Sequence, residues 1–308
     1  MNLVASFNRA LGTRLYRSRF KFAQSWRSMS DKADGDDQSE KAYVIRKANR
    51  VQKVGTICTP DQVDAPRSHP PLPEICIAGR TNSGKSSLIN HLLAKPGIAR
   101  TSSRAGKTDE INLYMVNSSV ILADFPGYGF EHKYGVLAKR WETVWGPLCE
   151  SYMHRSPVVA ALFLADIRWP VTRDDYFFVQ TMREAGIPAL LVLTKDDRIN
   201  DRVKAKGHNE SLAAKKVTRT VSQARDVHIA RSFLTDRVRK GLLWPEDLPH
   251  VHYSIESGPA RRKLRRWIAS LALAKNHDEA RQILEAAWSK RKENTQHESE
   301  KEGEEEQD

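Results

Sequence analysis

Several features that define other classes of protein are scarce or missing in this sequence of 308 residues. It has three cysteines and no CxxC pair, which excludes a disulfide framework and suits a reducing compartment. Its longest apolar run, residues 158–165, is far shorter than the roughly 18 residues of a membrane-spanning helix. With 40% hydrophobic residues the chain can still bury a core, which excludes wholesale disorder. The length then predicts one substantial domain with appendages.

Positive charge is abundant and unevenly distributed. The formal net charge is +12, but residues 293–308 hold eight acidic residues and one lysine, so the rest of the chain carries +19. Residues 198–240 have twelve Lys or Arg against four Asp or Glu, and five more basic residues lie within 261–266. A body this basic favours a polyanionic partner such as RNA; the alternative is a solvated cationic surface.

The first thirty residues contain six basic residues and no acid, with apolar residues near helical spacing. This composition is typical of a mitochondrial transit peptide, and a basic disordered arm is the alternative. Residues 31–40 are acidic and polar, as in a linker.

Short apolar runs alternate with helical patterns in the rest of the chain. Six strands are predicted, at residues 74–79, 111–117, 119–124, 158–166, 188–194 and 250–254. Helices are predicted at residues 86–95, 134–154, 173–185 and 259–274. This order predicts an α/β fold with a mostly parallel six-stranded sheet and helices on both faces.

Residues 79–86 read GRTNSGKS and match GxxxxGK[ST] between a predicted strand and a predicted helix. Such a loop points its backbone N–H groups at phosphates, at the positive end of the following helix. Lys85 would bridge the β- and γ-phosphates and Ser86 would bind Mg²⁺. The candidate phosphate-binding residues are Gly79, Arg80, Thr81, Asn82, Ser83, Gly84, Lys85, Ser86 and Ser87.

Two further positions fit the metal and the γ-phosphate. The segment Asp124-Phe-Pro126-Gly127 fits DxxG, in which the carboxylate holds Mg²⁺ through water and the glycine N–H meets the γ-phosphate. Thr108, in the loop before the second strand, is the candidate switch threonine.

Residues 194–197 read TKDD and fit [NT]KxD after a buried strand. The Asp197 carboxylate would accept hydrogen bonds from the N1–H and amino group of guanine, a donor pair that adenine lacks. The stem of Lys195 could lie over the base, and Thr194 completes the motif. An ATP-using P-loop enzyme such as a kinase is therefore disfavoured.

Four segments together resemble the EngB family of GTPases. They read AGRTNSGKSSLIN at 78–90, ARTSSRAGKTDEIN at 99–112, ADFPGYGF at 123–130 and GIPALLVLTKDD at 186–197. The similarity spans roughly residues 72–267. It implies a Ras-like P-loop GTPase fold in a family implicated in assembly of the large ribosomal subunit.

The resemblance carries roles over residue by residue. The residues that match the family's first four motifs are Gly79, Asn82, Gly84, Lys85, Ser86, Ser87, Thr108, Asp124, Pro126, Gly127, Thr194, Lys195 and Asp197. Ser254 and Ile255 fall in the fifth, base-contacting motif, where the family has Ser followed by Ala or Ser. Near the switch, Ala105, Asp109 and Glu110 depart from the family's Pro, Gln and Leu.

The implied chemistry is GTP hydrolysis with Lys85, Thr108 and Gly127 as catalytic residues and Ser86, Thr108 and Asp124 around Mg²⁺. Tyr128 stands where many GTPases have a water-orienting Gln, so we expect slow intrinsic turnover. Asn82 resembles a K⁺ ligand of related GTPases, and a simple hydrogen bond within the loop is the alternative.

The predicted function is a GTP-binding and GTP-hydrolysing assembly factor for the large subunit of the mitochondrial ribosome, in the matrix. It would bind rRNA-containing precursors in the GTP state, beside other assembly factors, and be a monomer off the ribosome.

The predicted domains are a transit peptide and linker at 1–40, an extension at 41–73, an EngB-type GTPase domain at 74–274 with a basic insertion at 198–248, and a helix with an acidic tail at 275–308. The alternative is a nucleotide-bound module that tethers RNA with negligible hydrolysis.

Overall fold

The computed structural model describes residues 50–65, 67, 69, 71–100, 110–129, 141–155, 157–199, 227–246 and 248–289. All of them lie in the compact unit Ala42–Asp308. The predicted transit peptide, Thr108, residues 200–226 of the basic insertion and the acidic tail at 293–308 lie outside the described residues.

A seven-stranded sheet forms the centre of the fold, in the order β1-β3-β4-β2-β5-β6-β7. Its strands are β1 (Val51–Ile57), β2 (Glu74–Gly79), β3 (Ile111–Val116), β4 (Val120–Asp124), β5 (Val158–Asp166), β6 (Ala189–Thr194) and β7 (His250–Tyr253). Four of the six strand pairs are parallel, and only the pairs of β3 with β1 and β4 are antiparallel. The mostly parallel α/β sheet is thus confirmed, but it has seven strands and not six.

The additional strand is β1, which comes from the segment predicted as an extension. It pairs along its length with β3 at the edge of the sheet. Its sequence, VQKVGTI, is buried only at its two ends and half-exposed or exposed between them. Such a strand shows neither the alternation of a half-buried strand nor the continuous apolar run of a central one, so its sequence gives little warning.

Helices cover both faces of the sheet. The described helices are α1 (Lys85–Leu93), α2 (Gly146–Met153), α3 (Arg173–Glu184), α4 (Val227–Gly241), α5 (Gly258–Leu271) and α6 (277–289), with a π-helix at Trp141–Trp145 leading into α2. Apolar residues of α1, α5 and α6 pack in one core cluster, and those of α2, α3 and α4 in the other. Helix α4 was not predicted; it lies inside the basic insertion. None of the helices in the described ranges is long and apolar enough to cross a membrane.

The topology brings the predicted motifs to one edge of the sheet. Strands β4, β2, β5, β6 and β7 are neighbours and run parallel, so their carboxyl ends lie side by side. In an open α/β sheet, ligands bind in the crevice outside these ends. The residues that end the strands include Gly79, Asp124, Asp166 and Thr194.

Candidate nucleotide-binding site

The loop between β2 and α1 is shaped by residues with left-handed backbone. Gly84 has φ 98° and Asn82 has φ 63°, and α1 begins directly after Gly84. Gly79 has no room for a side chain, because a Cβ there would lie 2.4 Å from the carbonyl oxygen of Leu164. A loop of this shape leads into the unpaired N–H groups of a helix N-terminus, where anions bind.

Lys85, the first residue of α1, lies folded back over this loop. Its Nζ donates hydrogen bonds to the carbonyl oxygens of Gly79 at 2.7 Å and Arg80 at 3.1 Å. Burial lowers the pKa of the Lys85 ammonium to about 8, although the nearby Asp124 carboxylate acts in the opposite direction. The loop therefore carries a buried ammonium group that an incoming phosphate would stabilise.

Asp124 ends β4 and is buried beside this ammonium group. Burial raises the pKa of its carboxyl to about 6, in spite of Lys85 and a hydrogen bond with Ser86. Its Oδ1 is buried without a hydrogen-bond partner among the described residues. A buried carboxylate oxygen without a partner, close to a serine hydroxyl, fits the oxygen ligands that Mg²⁺ prefers. Ser86 and Asp124 are therefore suited to hold Mg²⁺ together with phosphate oxygens and water.

Gly127 lies directly against the phosphate loop. A Cβ at this position would lie 2.7 Å from Thr81 Oγ1 and 3.0 Å from both Lys85 Nζ and the backbone Cα of Thr81, so neighbouring atoms would have to shift to admit a side chain. Pro126 before it is buried. The DxxG segment and the phosphate loop are thus packed together around the Lys85 ammonium group.

The TKDD segment is hydrogen-bonded to the same loop. Thr194 Oγ1 donates to the carbonyl oxygen of Ser83 at 2.7 Å, and Lys195 Nζ donates to that of Asn82 at 2.7 Å. Lys195 also lies 3.1 Å from a carboxylate oxygen of Asp166, at the end of β5. Sequence analysis missed Asp166, although its signal is simple: an acidic residue that ends a buried parallel strand at the ligand edge.

The two neighbouring aspartates of TKDD have different surroundings. Asp196 accepts two hydrogen bonds from Arg231, at 2.9 and 2.8 Å, and lies 2.9 Å from His252 Nδ1. Burial would raise its pKa, but the bonds from His252 and Arg231 outweigh that effect and the pKa is lowered. Asp197 lies in the turn Asp196–Arg198, with Arg198 Nε at 3.5 Å. Asp196 is thus engaged inside the protein and Asp197 is the more available carboxylate.

Known proteins are similar to this chain in sequence. The model of the family described as 50S ribosome-binding GTPase matches residues 74–195. The "Probable GTP-binding protein EngB" of Geobacter metallireducens is 41% identical over 164 residues, which cover 52% of this chain and 76% of the relative. That of Anoxybacillus flavithermus is 38% identical over 152 residues, covering 49% and 75%. The chain belongs to the EngB family.

Among solved structures, one described as a crystal structure of "a probable GTP-binding protein engB" aligns with 65% of this chain and 98% of its own, at 20% identity and a TM-score of 0.45. As an EngB protein, the chain has the Ras-like P-loop GTPase fold that the resemblance implied.

The fifth motif of this EngB protein follows β7. Ser254 is buried, and its Oγ accepts a hydrogen bond from the backbone N–H of Glu256 at 3.0 Å. Ile255 is 49% exposed, so its side chain is not part of the core. Because β7 is paired with β6, the segment lies next to the strand that carries TKDD.

The side chain of Tyr128, which follows the glycine of the DxxG segment in this EngB protein, points into the protein core. It is 1% exposed, its ring stacks on Phe178 with 5.1 Å between centroids, and its hydroxyl donates to Asp175 Oδ1 at 2.9 Å. The side chain at the position of the water-orienting Gln is therefore directed into the core. Sequence analysis missed Asp175, because nothing in the sequence links it to a tyrosine 47 residues earlier.

Proposed function

We propose that this protein binds GTP with Mg²⁺ and hydrolyses it as an assembly factor for the large subunit of the mitochondrial ribosome. One observation carries the nucleotide part: TKDD is hydrogen-bonded to the phosphate loop, with Asp196 engaged and Asp197 available. The names of the relatives and of the matching family support GTP and ribosome binding.

The nucleotide would bind along the carboxyl edge of the sheet. Asp197 would read the guanine edge, and the stem of Lys195 would lie over the base. Ser254 and the backbone at Ile255 would border the base. At the other end, Lys85 would exchange its bonds to loop carbonyls for bonds to phosphate oxygens, with Ser86 and Asp124 holding Mg²⁺.

Hydrolysis would proceed by in-line attack of water on the γ-phosphorus. The bond from this phosphorus to the β–γ bridging oxygen breaks, the products are GDP and phosphate, and the water proton passes to phosphate and solvent. Lys85, Thr108 and the N–H of Gly127 would stabilise the charge on the phosphate oxygens. Because the Tyr128 side chain points inward, we propose that turnover is slow without a partner and that K⁺ bound at Asn82 is an activator.

The inward orientation of Tyr128 also favours a second candidate function, a GTP-bound tether with negligible hydrolysis. A GTPase assay with and without precursors of the large ribosomal subunit separates the two. The enzyme should turn over faster with precursors, whereas the tether should bind them without any increase in hydrolysis.

Fewer basic residues of α4 and α5 are available to bind RNA than the composition of these segments indicates. On α4, Arg231 bonds to Asp196, Arg237 to the Ile167 carbonyl oxygen and Arg239 to that of Pro245. On α5, Arg265 is buried and donates to the Leu92 carbonyl oxygen, so it does not belong to the exposed basic residues of this helix. We therefore propose that rRNA phosphates meet the exposed Arg262 and Arg266 and basic residues of 198–226.

The location and partner are proposed from the basic N-terminus and the family. The experiment is sedimentation of a mitochondrial extract with a non-hydrolysable GTP analogue. We expect the protein to sediment with large-subunit precursors, and to leave them when GDP replaces the analogue. Sedimentation at the position of the free protein with both nucleotides would contradict the ribosomal part of the proposal.

A further inference from the structure

Tyr128, the residue after Gly127, is anchored inside the protein by a buried polar contact of its side chain. Tyr128 is buried between aromatic rings, and its hydroxyl donates to Asp175 Oδ1 at 2.9 Å. Burial and the nearby Asp175 carboxylate raise the pKa of the phenol well above its usual value, so it stays protonated and remains a donor. The backbone of Tyr128 is fixed as well, because its carbonyl oxygen accepts a hydrogen bond from the Thr81 N–H at 2.8 Å.

Asp175 is itself held rigidly at the start of α3. Its Oδ2 accepts hydrogen bonds from the Thr172 N–H at 2.8 Å and from Thr172 Oγ1 at 2.9 Å. The Thr172 hydroxyl in turn accepts the Asp175 N–H at 3.4 Å, which completes a capping box. Asp175 is 7% exposed, and the bonds from Thr172 fix the direction in which its carboxylate faces Tyr128.

The same carboxylate faces the phosphate loop through Arg80. One terminal nitrogen of Arg80 lies 3.8 Å from Asp175 Oδ2, and the other donates to the Pro170 carbonyl oxygen at 3.4 Å. The stem of Arg80 lies across Gly129: a Cβ at this glycine would lie 2.5 Å from Arg80 Cγ and Cδ. Asp175 therefore connects the second residue of the phosphate loop with the residues on the far side of Gly127.

We propose that Asp175 is a positioning residue for GTP. By holding Tyr128 in the core and Arg80 across Gly129, it fixes Gly127 against Thr81 and Lys85, where the terminal phosphate would be bound. The inference rests on the GTP binding proposed above. It extends that proposal to a residue outside the nucleotide-binding motifs.

The physical reason for a specific effect is the tight fit of Gly127. The Gly127 backbone lies so close to the phosphate loop that a Cβ there would approach Thr81 and Lys85 to 2.7 and 3.0 Å, so release of the neighbouring Tyr128 would move the Gly127 N–H relative to that loop. GTP has a γ-phosphate that this N–H can reach, and GDP has none. Loss of the contact between Tyr128 and Asp175 should therefore weaken the binding of GTP more than that of GDP.

The test compares Asp175→Asn and Tyr128→Phe with the unmodified protein. The measurements are the affinities for GDP and for a non-hydrolysable GTP analogue, together with kcat and KM for GTP. We expect Asp175→Asn to lower affinity for the analogue about fivefold to tenfold and to lower kcat, while GDP affinity stays within about twofold. Tyr128→Phe keeps the capping box and removes only the hydroxyl, and we expect a loss of about threefold for the analogue.

Phe178→Leu is the matched control, because it reduces the ring that stacks on Tyr128 and leaves the polar contacts of Asp175 in place. It should lower the melting temperature without changing the ratio of GTP-analogue to GDP affinity. Equal losses for both nucleotides in the two test variants, or no loss in either, would overturn the positioning role. If the unmodified protein bound neither nucleotide, the proposed function would fall first and this inference with it.

Discussion

The phosphate end and the base end of the site handle charge in different ways. At the phosphate end, Lys85 and Asp124 are buried, both pKa values are shifted towards the neutral form, and one carboxylate oxygen is left without a partner among the described residues. At the base end, Asp166 and Asp196 are paired with basic side chains, and their pKa values are lowered. The first arrangement leaves a carboxylate oxygen that a ligand can engage, whereas the acidic residues of the second already have protein partners.

The largest effect is expected at the phosphate end. Lys85→Ala removes the ammonium group that bonds to the loop, so the affinity for GDP and GTP should fall at least about a hundredfold. Titration with a fluorescent guanine nucleotide measures this loss. Lys95→Ala, beyond the end of α1, is the control and should bind normally. Near-normal binding by Lys85→Ala would show that the loop does not hold the phosphates through this side chain.

At the base end, the two adjacent aspartates should give opposite results. Asp197→Asn should weaken guanine nucleotides about a hundredfold and shift preference towards xanthine, because the amide replaces one acceptor by a donor. Asp196→Asn should keep the preference for guanine but lower the melting temperature. The amide has one oxygen in place of two, so Arg231 loses one of its two hydrogen-bond acceptors and its ion pair. A competition assay with GDP and XDP measures the first effect. If both variants kept the guanine preference, the assignment of the base site would be wrong.

A pH experiment tests the charges of the phosphate end in the nucleotide-free protein. The pKa of Asp124 is raised from 3.8 to about 6, so the folded state binds a proton more tightly than the unfolded state. The contribution of this group to the free energy of unfolding should therefore fall as pH rises from about 4 to 6, by at most about 3 kcal/mol.

Lys85 acts in the other direction at higher pH. The pKa of its ammonium group is lowered to about 8. The contribution of Lys85 to the free energy of unfolding should therefore rise between pH 8 and 10.5. Thermal unfolding measured across pH, with Asp124→Asn as the reference, checks the fall predicted for Asp124 between pH 4 and 6. Superimposable curves for the two proteins between pH 4 and 6 would argue against a raised pKa.

At both ends the sequence revealed the binding motifs but not the residues that hold them in place. The phosphate loop, Asp124 with Gly127, and TKDD are continuous segments placed after buried strands, so both their chemistry and their convergence could be predicted from order alone. The partners that hold them could not. Asp175 and Arg231 depend on contacts across tens of residues, and both look like ordinary surface charges in the sequence.

The same limit applies to the fold. Strands β2, β4, β5 and β6 were recognisable because burial on both faces requires nearly continuous apolar runs, whereas β7 is short and buried only at alternate residues. Strand β1 and helix α4 were missed because edge position and abundant charge mask their patterns. Three arginines of α4 that contributed to a basic run bond inside the protein, which composition cannot reveal.

The smallest effect is expected at Ile255, where the chain departs from the family's fifth motif. Its side chain is half-exposed, and a contact from this position to the guanine oxygen would be made by the backbone N–H, which any residue except proline provides. Ile255→Ser should therefore change GDP affinity by less than about threefold, a difference under 1 kcal/mol. Because Ser254 anchors the turn through the Glu256 N–H, Ser254→Ala should cost more than the change at Ile255. A tenfold gain in affinity for Ile255→Ser would instead mean that the bulky side chain obstructs the base, and that the base end is less complete than its ion pairs indicate.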